Sequence, residues 1–172
     1  MTRPFFATPT LTLAALGLIL TALPASADNW SQLKDAAKKQ AGEKAETQFN
    51  LPQAAPQGAK VYFIEPKDGA AVTSPVRIVF GLANMGVAPA GVNQVNTGHH
   101  HLLIDEPTID LSKPLPATDQ VKHFGGGQTE TTVELKPGTH TLQLLLGDWK
   151  HQPHNPAIVS EKIKITVKAA GQ

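Results

Sequence analysis

From Lys60 onward the chain is a series of short apolar segments, and a turn signal separates each from the next at roughly ten-residue spacing. The segments are rich in β-branched residues, and the run from Ile163 to Val167 alternates apolar and polar side chains. A period of two is typical of strands that bury one face. The predicted strands are 61–64, 76–82, 99–104, 129–135, 139–147 and 158–167. We therefore predict an all-β domain over residues 60–168, an immunoglobulin-like antiparallel β-sandwich of about seven strands.

The first 27 residues have the three parts of a secretory signal peptide. Arg3 gives the positive start, the apolar run from Leu11 to Leu23 is too short to span a membrane, and Ala25-Ser26-Ala27 is a small-residue cleavage site. Residues 28–59 then predict a short helical spacer followed by a linker that contains Pro and Gly. We expect a periplasmic or otherwise exported protein with no integral membrane segment after signal cleavage.

The composition excludes several kinds of site. The chain has no cysteine, so thiolate metal sites and cysteine nucleophiles are absent. Without the predicted signal peptide, Met85 is the only methionine and Arg77 the only arginine. The 15 basic residues less Arg3 leave 14, which balance the 14 acidic residues, so we expect no nucleic-acid surface. Any metal would be held by nitrogen and oxygen ligands.

All seven histidines lie between His99 and His154. Consecutive strands of a sandwich alternate in direction, so three of its connections meet at one end, and here each of the three carries or adjoins histidine. Within the predicted strand 99–104, His99 and His101 share one face, whereas His100 lies on the core face. The sequence therefore predicts a group of histidines at one loop pole of the sandwich.

The expected ligands of a divalent transition metal, Cu(II) or Zn(II), are the histidines of this pole: His99, His101, His123, His151 and His154. Asp148 is available as a carboxylate that orients an imidazole. His140 begins a strand at the opposite end, and we interpret it as a structural residue that hydrogen-bonds a corner of the sandwich. In an alternative interpretation, the histidines of the pole hydrogen-bond long loops and bind no metal.

Four strings in the C-terminal half of the chain resemble a known bacterial exported family, the domain of unknown function 4399. They are GHHHLLID (98–105), HFGGGQTE (123–130), LKPGTHTLQLLLGD (135–148) and HQPHNPAIVSEKIKITV (151–167). The resemblance implies an exported single domain with a GHHH hallmark, carried here by residues 98–101. It implies no activity, ligand or catalytic residue, so the function has to come from the site.

Three hypotheses of function follow from the sequence. The leading one is an exported, histidine-rich module that binds Cu(II) or Zn(II) at one loop pole. The second is an adhesion or partner-binding module of the cell envelope, in which Trp149 and Phe124 contact an envelope protein or glycan and the histidines are structural. The third is a pH-responsive partner interface. The chain has no GxSxG, HExxH or phosphate-loop motif, so we do not expect an enzyme.

Overall fold

The computed structural model describes residues 27–48 and 51–169, so the predicted signal peptide lies outside it apart from its last residue. The single helix of the described residues is α1 (Ala27–Gln48). Its two large apolar side chains, Trp30 and Leu33, are exposed. Among the described residues, no helix combines the length and the apolar character needed to cross a membrane.

Nine strands follow the helix in the described part of the chain. They are β1 (Lys60–Glu65), β2 (Ala71–Thr73), β3 (Val76–Ala83), β4 (Gly86–Val87), β5 (Thr97–Ile104), β6 (Val121–His123), β7 (Glu130–Val133), β8 (Gly138–Gly147) and β9 (Ile163–Lys168). The longer strands coincide with predicted ones, because they carry the apolar alternation. The strands β2, β4 and β6 are too short to display a period.

The strands form two sheets. The smaller sheet has the order β1-β3-β7, and the larger has the order β2-β9-β8-β5-β4, with β6 also paired to β5. The prediction of an all-β sandwich is confirmed. The larger sheet is mixed rather than wholly antiparallel, because β2 pairs with β9 and β4 with β5 in parallel.

The main core lies between the two sheets and follows the period of two along each strand. On β8 the inward side chains are Leu142, Leu144 and Leu146, and on β5 they include Leu102 and Ile104. A second, smaller apolar cluster consists of Leu103, Leu115 and Leu145, with Ile109 packed against it. Since Leu103 and Leu145 alternate with core residues, this cluster lies on the outer face of the larger sheet, where the loop 105–120 covers it.

The segment before β1, predicted as part of a linker, pairs with the loop before β9. The Ala55 amide donates to the Asn155 carbonyl at 2.9 Å, and the Asn155 amide donates to the Gln53 carbonyl at 2.9 Å. Backbone pairing of this kind satisfies polar groups that a free linker leaves to water. These residues therefore contribute to the sandwich rather than only leading into it.

Candidate metal centre

Strand β5 carries two histidines on the outer face of the larger sheet. His99 and His101 alternate with inward residues, and both are wholly buried. On the neighbouring strand β8, His99 lies opposite Gly147 and His101 lies opposite Leu145. A Cβ atom at Gly147 would lie 2.8 Å from His101 Cε1 and 3.5 Å from His99 Nε2. The absence of a side chain at Gly147 therefore makes the space that both rings occupy.

Strand β6 brings a third histidine to the same face. His123 pairs directly with His101 across the β5–β6 ladder. Its ring occupies space left by Gly125, where a Cβ atom would lie 2.5 Å from His123 Nε2. Phe124, the next residue, points the other way and packs against Phe80 at 4.9 Å between ring centroids. The side chains of His123 and Phe124 thus point to opposite faces of the sheet, and the packing of Phe124 in the core holds the neighbouring His123 in place.

The fourth histidine, His151, lies in the turn that follows β8. The wholly buried Asp148 builds this turn, because its Oδ1 accepts the amides of Lys150 at 2.8 Å and Gln152 at 2.9 Å. His151 has a left-handed backbone with φ of 66°, which is uncommon for a residue with a side chain. The Leu115 amide donates to the His151 carbonyl at 2.7 Å, so the loop 105–120 also holds the turn in place.

The four imidazoles form one group, called the histidine cluster below: His99, His101, His123 and His151. All six pairs of ring centroids lie between 4.6 and 6.2 Å apart. Imidazoles bonded to one ion at ~2 Å would have their ring centres roughly 5 Å apart. The spacing of the cluster therefore matches that of rings around a single ion.

The nitrogen atoms distinguish three of these residues from the fourth. One ring nitrogen each from His99, His123 and His151 lies within 4.8 Å of the others. His123 Nε2 and His151 Nε2 are 3.1 Å apart. His101 contacts the other three rings without joining this nitrogen set. The geometry thus offers three converging donors, with one further ring beside them.

The buried rings of the cluster are short of hydrogen bonds and stay neutral. Neither ring nitrogen of His99 or His101 has a hydrogen-bond partner among the described residues. Burial, reinforced by neighbouring imidazoles, lowers the pKa of His99 to about 4 and that of His101 to about 3. The pKa of His123 is also lowered, first by burial and then by His151. Neutral imidazole is the form that binds a metal ion.

His100 and His154 lie on the opposite, inward face of the sheet. His100 stacks on Phe80 with ring centroids 4.9 Å apart, and burial lowers its pKa to about 4. The His154 ring lies against the inward side of Gly98, and its Nε2 is 3.2 Å from the Thr97 carbonyl oxygen. We therefore leave His154 out of the site, although the sequence predicted it as a ligand.

The cluster lies on the outer face of the larger sheet, at the end where β5 begins and where β6 and β8 end. His99, His101 and His123 belong to strands and only His151 lies in a loop, which differs from a site built from loops alone. Asp148 differs in role as well, because its Oδ1 accepts backbone amides rather than an imidazole N–H. No sequence pattern marks Gly147 as part of the site, since its position opposite His99 depends on a strand register that composition does not reveal.

His140 lies away from the cluster and is engaged at both ring nitrogens. Its Nδ1 is 2.9 Å from Asp105 Oδ2, and its Nε2 is 2.8 Å from the Lys136 carbonyl oxygen. Both partners only accept, so satisfying both contacts requires a proton on each nitrogen. The structure agrees with the interpretation of His140 as a corner residue that hydrogen-bonds neighbouring backbone.

We expect His140 to titrate above the ordinary histidine value. Burial lowers its pKa, but the hydrogen bonds to Lys136 and Asp105 outweigh burial and raise it. A pKa raised in the folded state stabilises the protein below pH ~6.5, and that contribution is lost as pH rises through the folded value. NMR titration of the His140 ring should give a pKa above 6.5, lower in Asp105→Asn, since asparagine also tolerates the left-handed φ of 57° at position 105. A pKa at or below 6.5, or one unchanged in that variant, would contradict this assignment.

The fold and the site define a class of protein, an all-β sandwich with histidines gathered on the outer face of its larger sheet and able to hold a metal ion. The family model described as a domain of unknown function (DUF4399) matches residues 78–168, more than half of the chain. The chain belongs to this family, which confirms the resemblance seen in the sequence. The matched range contains the whole histidine cluster. No curated protein matches the chain.

Proposed function

We propose that this protein binds one divalent transition metal ion, Cu(II) or Zn(II), through ring nitrogens of His99, His123 and His151, with His101 as the fourth ring of the site. It acts as a non-catalytic, exported module of the cell envelope. The observation that carries the proposal is that the four imidazole rings lie close together in all six possible pairs. Two of the four rings, those of His99 and His101, are wholly buried.

The ligand chemistry supports a transition metal over Ca²⁺ or Mg²⁺. The converging donors are imidazole nitrogens, whereas Ca²⁺ and Mg²⁺ take oxygen ligands. Imidazole suits both zinc and copper, and these ions differ in preferred geometry: tetrahedral for zinc and tetragonal for Cu(II). The all-nitrogen character of the set therefore supports the class of metal and leaves the two ions to be compared directly.

The missing hydrogen bonds support a bound ion as well. A neutral imidazole has one donor and one acceptor nitrogen, and burying either without a partner costs about 1–3 kcal/mol. His99 and His101 together bury four such nitrogens among the described residues. Coordination of a metal would engage a lone pair on each ligand ring, which offsets part of this cost. His123 and His151 are half-buried, and so they form the side from which an ion would enter.

The adhesion hypothesis receives less support from the aromatic residues. Exposed aromatics such as Trp149 and Phe124 would favour it, but Phe124 is buried against Phe80 in the core. Trp149 is half-buried, with Lys150 Nζ 5.4 Å from its ring centroid. One half-buried aromatic makes a small contact surface for a glycan or protein, so metal binding is the function that we favour.

Calorimetric titration of the tag-free protein with Cu(II) and Zn(II) tests the proposal. We expect one equivalent of metal to bind, with the affinity reduced more than about 100-fold in His123→Gln, because losing a ligand should exceed the ~10–100-fold effect of losing an orienting partner. The matched control is His140→Gln, the same change at another half-buried histidine. Its affinity should equal that of the unaltered protein. Failure of the unaltered protein to bind either metal, or equal losses in both variants, would contradict the proposal.

A further inference from the structure

The turn that carries His151 has an unusual component, a wholly buried carboxylate. Asp148 is 0 % exposed, and its Oδ2 has no hydrogen-bond partner among the described residues. Burial of a polar oxygen that has no hydrogen-bond partner destabilises a fold, so a residue at such a position usually has a compensating role. Asp148 therefore has to contribute something that an apolar residue at the same position would not.

The contacts of Asp148 all act on the backbone of its own turn. Its Oδ1 accepts the amides of Lys150 and Gln152, its carbonyl accepts the His151 amide at 2.9 Å, and its amide donates to the Gln152 carbonyl at 2.8 Å. Four hydrogen bonds from one residue thus enclose the left-handed His151. Without the side chain, the amides of Lys150 and Gln152 lose their acceptor, and the backbone of His151 loses the restraint that keeps φ positive.

The position of the turn connects it to the site. Gly147, directly before Asp148, has no side chain and so leaves the space that the rings of His99 and His101 occupy. His151 returns over the same region, with its Nε2 3.1 Å from that of His123. A change in the turn would therefore move one of the three converging nitrogens while leaving the other two on their strands.

We propose that Asp148 is a positioning residue of the metal site, which holds His151 in its binding position through the hydrogen-bonded turn. This inference rests on the proposed metal-binding function. It assigns the effect of Asp148 to the acceptor atom Oδ1 rather than to its negative charge. Asparagine has an equivalent acceptor oxygen without the charge, so the two contributions can be separated by substitution.

The first test requires no metal and examines the His151 ring alone. NMR cross-peaks between ring protons of His151 and His123 should be present in the unaltered protein and in Asp148→Asn, and lost in Asp148→Ala. The control is Asp68→Ala, which removes a carboxylate that accepts the Lys164 amide at 2.8 Å in the turn after β1. Its cross-peaks should be unchanged. Persistence of the cross-peaks in Asp148→Ala would overturn the inference.

The second test measures metal affinity in the same variants. Competition titration with Zn(II) and Cu(II) should show a loss of about 10–100-fold in Asp148→Ala, the range typical of residues that orient ligands. Asp148→Asn should stay within about threefold of the unaltered protein. A loss in Asp148→Asn as large as that in Asp148→Ala would show a role of charge and overturn the assignment to Oδ1.

Two safeguards keep these tests decisive. Should Asp148→Ala fail to fold, Asp148→Leu also removes both carboxylate oxygens but keeps a branched side chain of similar shape, and its His151–His123 cross-peaks then decide. The two tests also separate this inference from the proposed function. If Asp148→Ala loses the cross-peaks and the unaltered protein binds no metal, the metal function alone is refuted. If the unaltered protein binds metal and Asp148→Ala keeps both the cross-peaks and the affinity, the role of Asp148 alone is refuted.

Discussion

Acidification from pH 7.5 to pH 5 is expected to lower the free energy of unfolding of the metal-free protein by several kcal/mol. The cause is the burial of three neutral imidazoles on β5. The pKa is lowered to about 4 for His99 and His100 and to about 3 for His101. In the unfolded chain the same rings titrate near pH ~6.5.

The direction of the effect follows from proton binding. Below pH ~6.5 the unfolded chain takes up protons that the folded protein does not, so its stability falls. The loss continues until the pH reaches the folded pKa values of about 4 and 3. Each ring contributes up to about 2 kcal/mol at pH 5, since one pKa unit corresponds to ~1.4 kcal/mol. The raised pKa of His140 acts in the opposite direction and offsets a small part of the loss.

Urea unfolding at a series of pH values would measure this dependence. The variant His100→Leu provides an internal comparison, because it removes one titrating ring from the core face beside Phe80 and leaves the histidine cluster unchanged. It should lose about one third less stability between pH 7.5 and pH 5 than the unaltered protein. A stability that is flat over this range, or the same slope in both proteins, would mean that the rings are not held neutral.

Replacement of Gly147 by alanine is expected to disturb the two wholly buried rings of the site, those of His99 and His101. The added Cβ would lie 2.8 Å from His101 Cε1 and 3.3 Å from His101 Nδ1. Both residues are on paired strands, so the rigid ring has to rotate away or the strands have to separate. Overpacking of this kind costs about 1–3 kcal/mol, and displacement of the rings should weaken metal binding at least tenfold.

Thermal unfolding and zinc titration of Gly147→Ala would measure both effects. Gly126→Ala is the control, because its Cβ would meet only the end of the Gln128 side chain, which can swing aside. We expect Gly126→Ala to keep the metal affinity of the unaltered protein. Unchanged melting and zinc binding in Gly147→Ala would show that the rings do not depend on the space above this glycine.

The sequence predicts the parts of the site that follow from alternation along one strand. The pattern around Leu102 and Ile104 is enough to place His99 and His101 on one face and His100 on the other, because neighbouring side chains of a strand point in opposite directions. The topology of a sandwich also correctly brings His123 and His151 near that strand.

The remaining features depend on packing between distant segments. The loop 105–120 covers the outer face through Leu115 and Ile109, whose spacing has no regular period. The direction of His154 depends on the pairing of its two neighbours, Pro153 with Gly147 and Asn155 with residues 53–55, a segment that its composition marks as a linker. Tertiary contacts of this kind are invisible to propensity and pattern, so the sequence alone could not place the His154 ring on the inward face, away from the four rings of the cluster.

The histidine cluster draws together residues 99 and 151, which are 52 positions apart in a chain that has no cysteine. An ion held there would tie β5, β6 and the turn after β8 to one point, and so it would act as a removable cross-link. Many exported domains obtain such cross-links from disulfides, which restrict the unfolded chain permanently. A metal tie restricts the chain only while metal is present, so resistance to proteolysis would report the metal supply of the compartment.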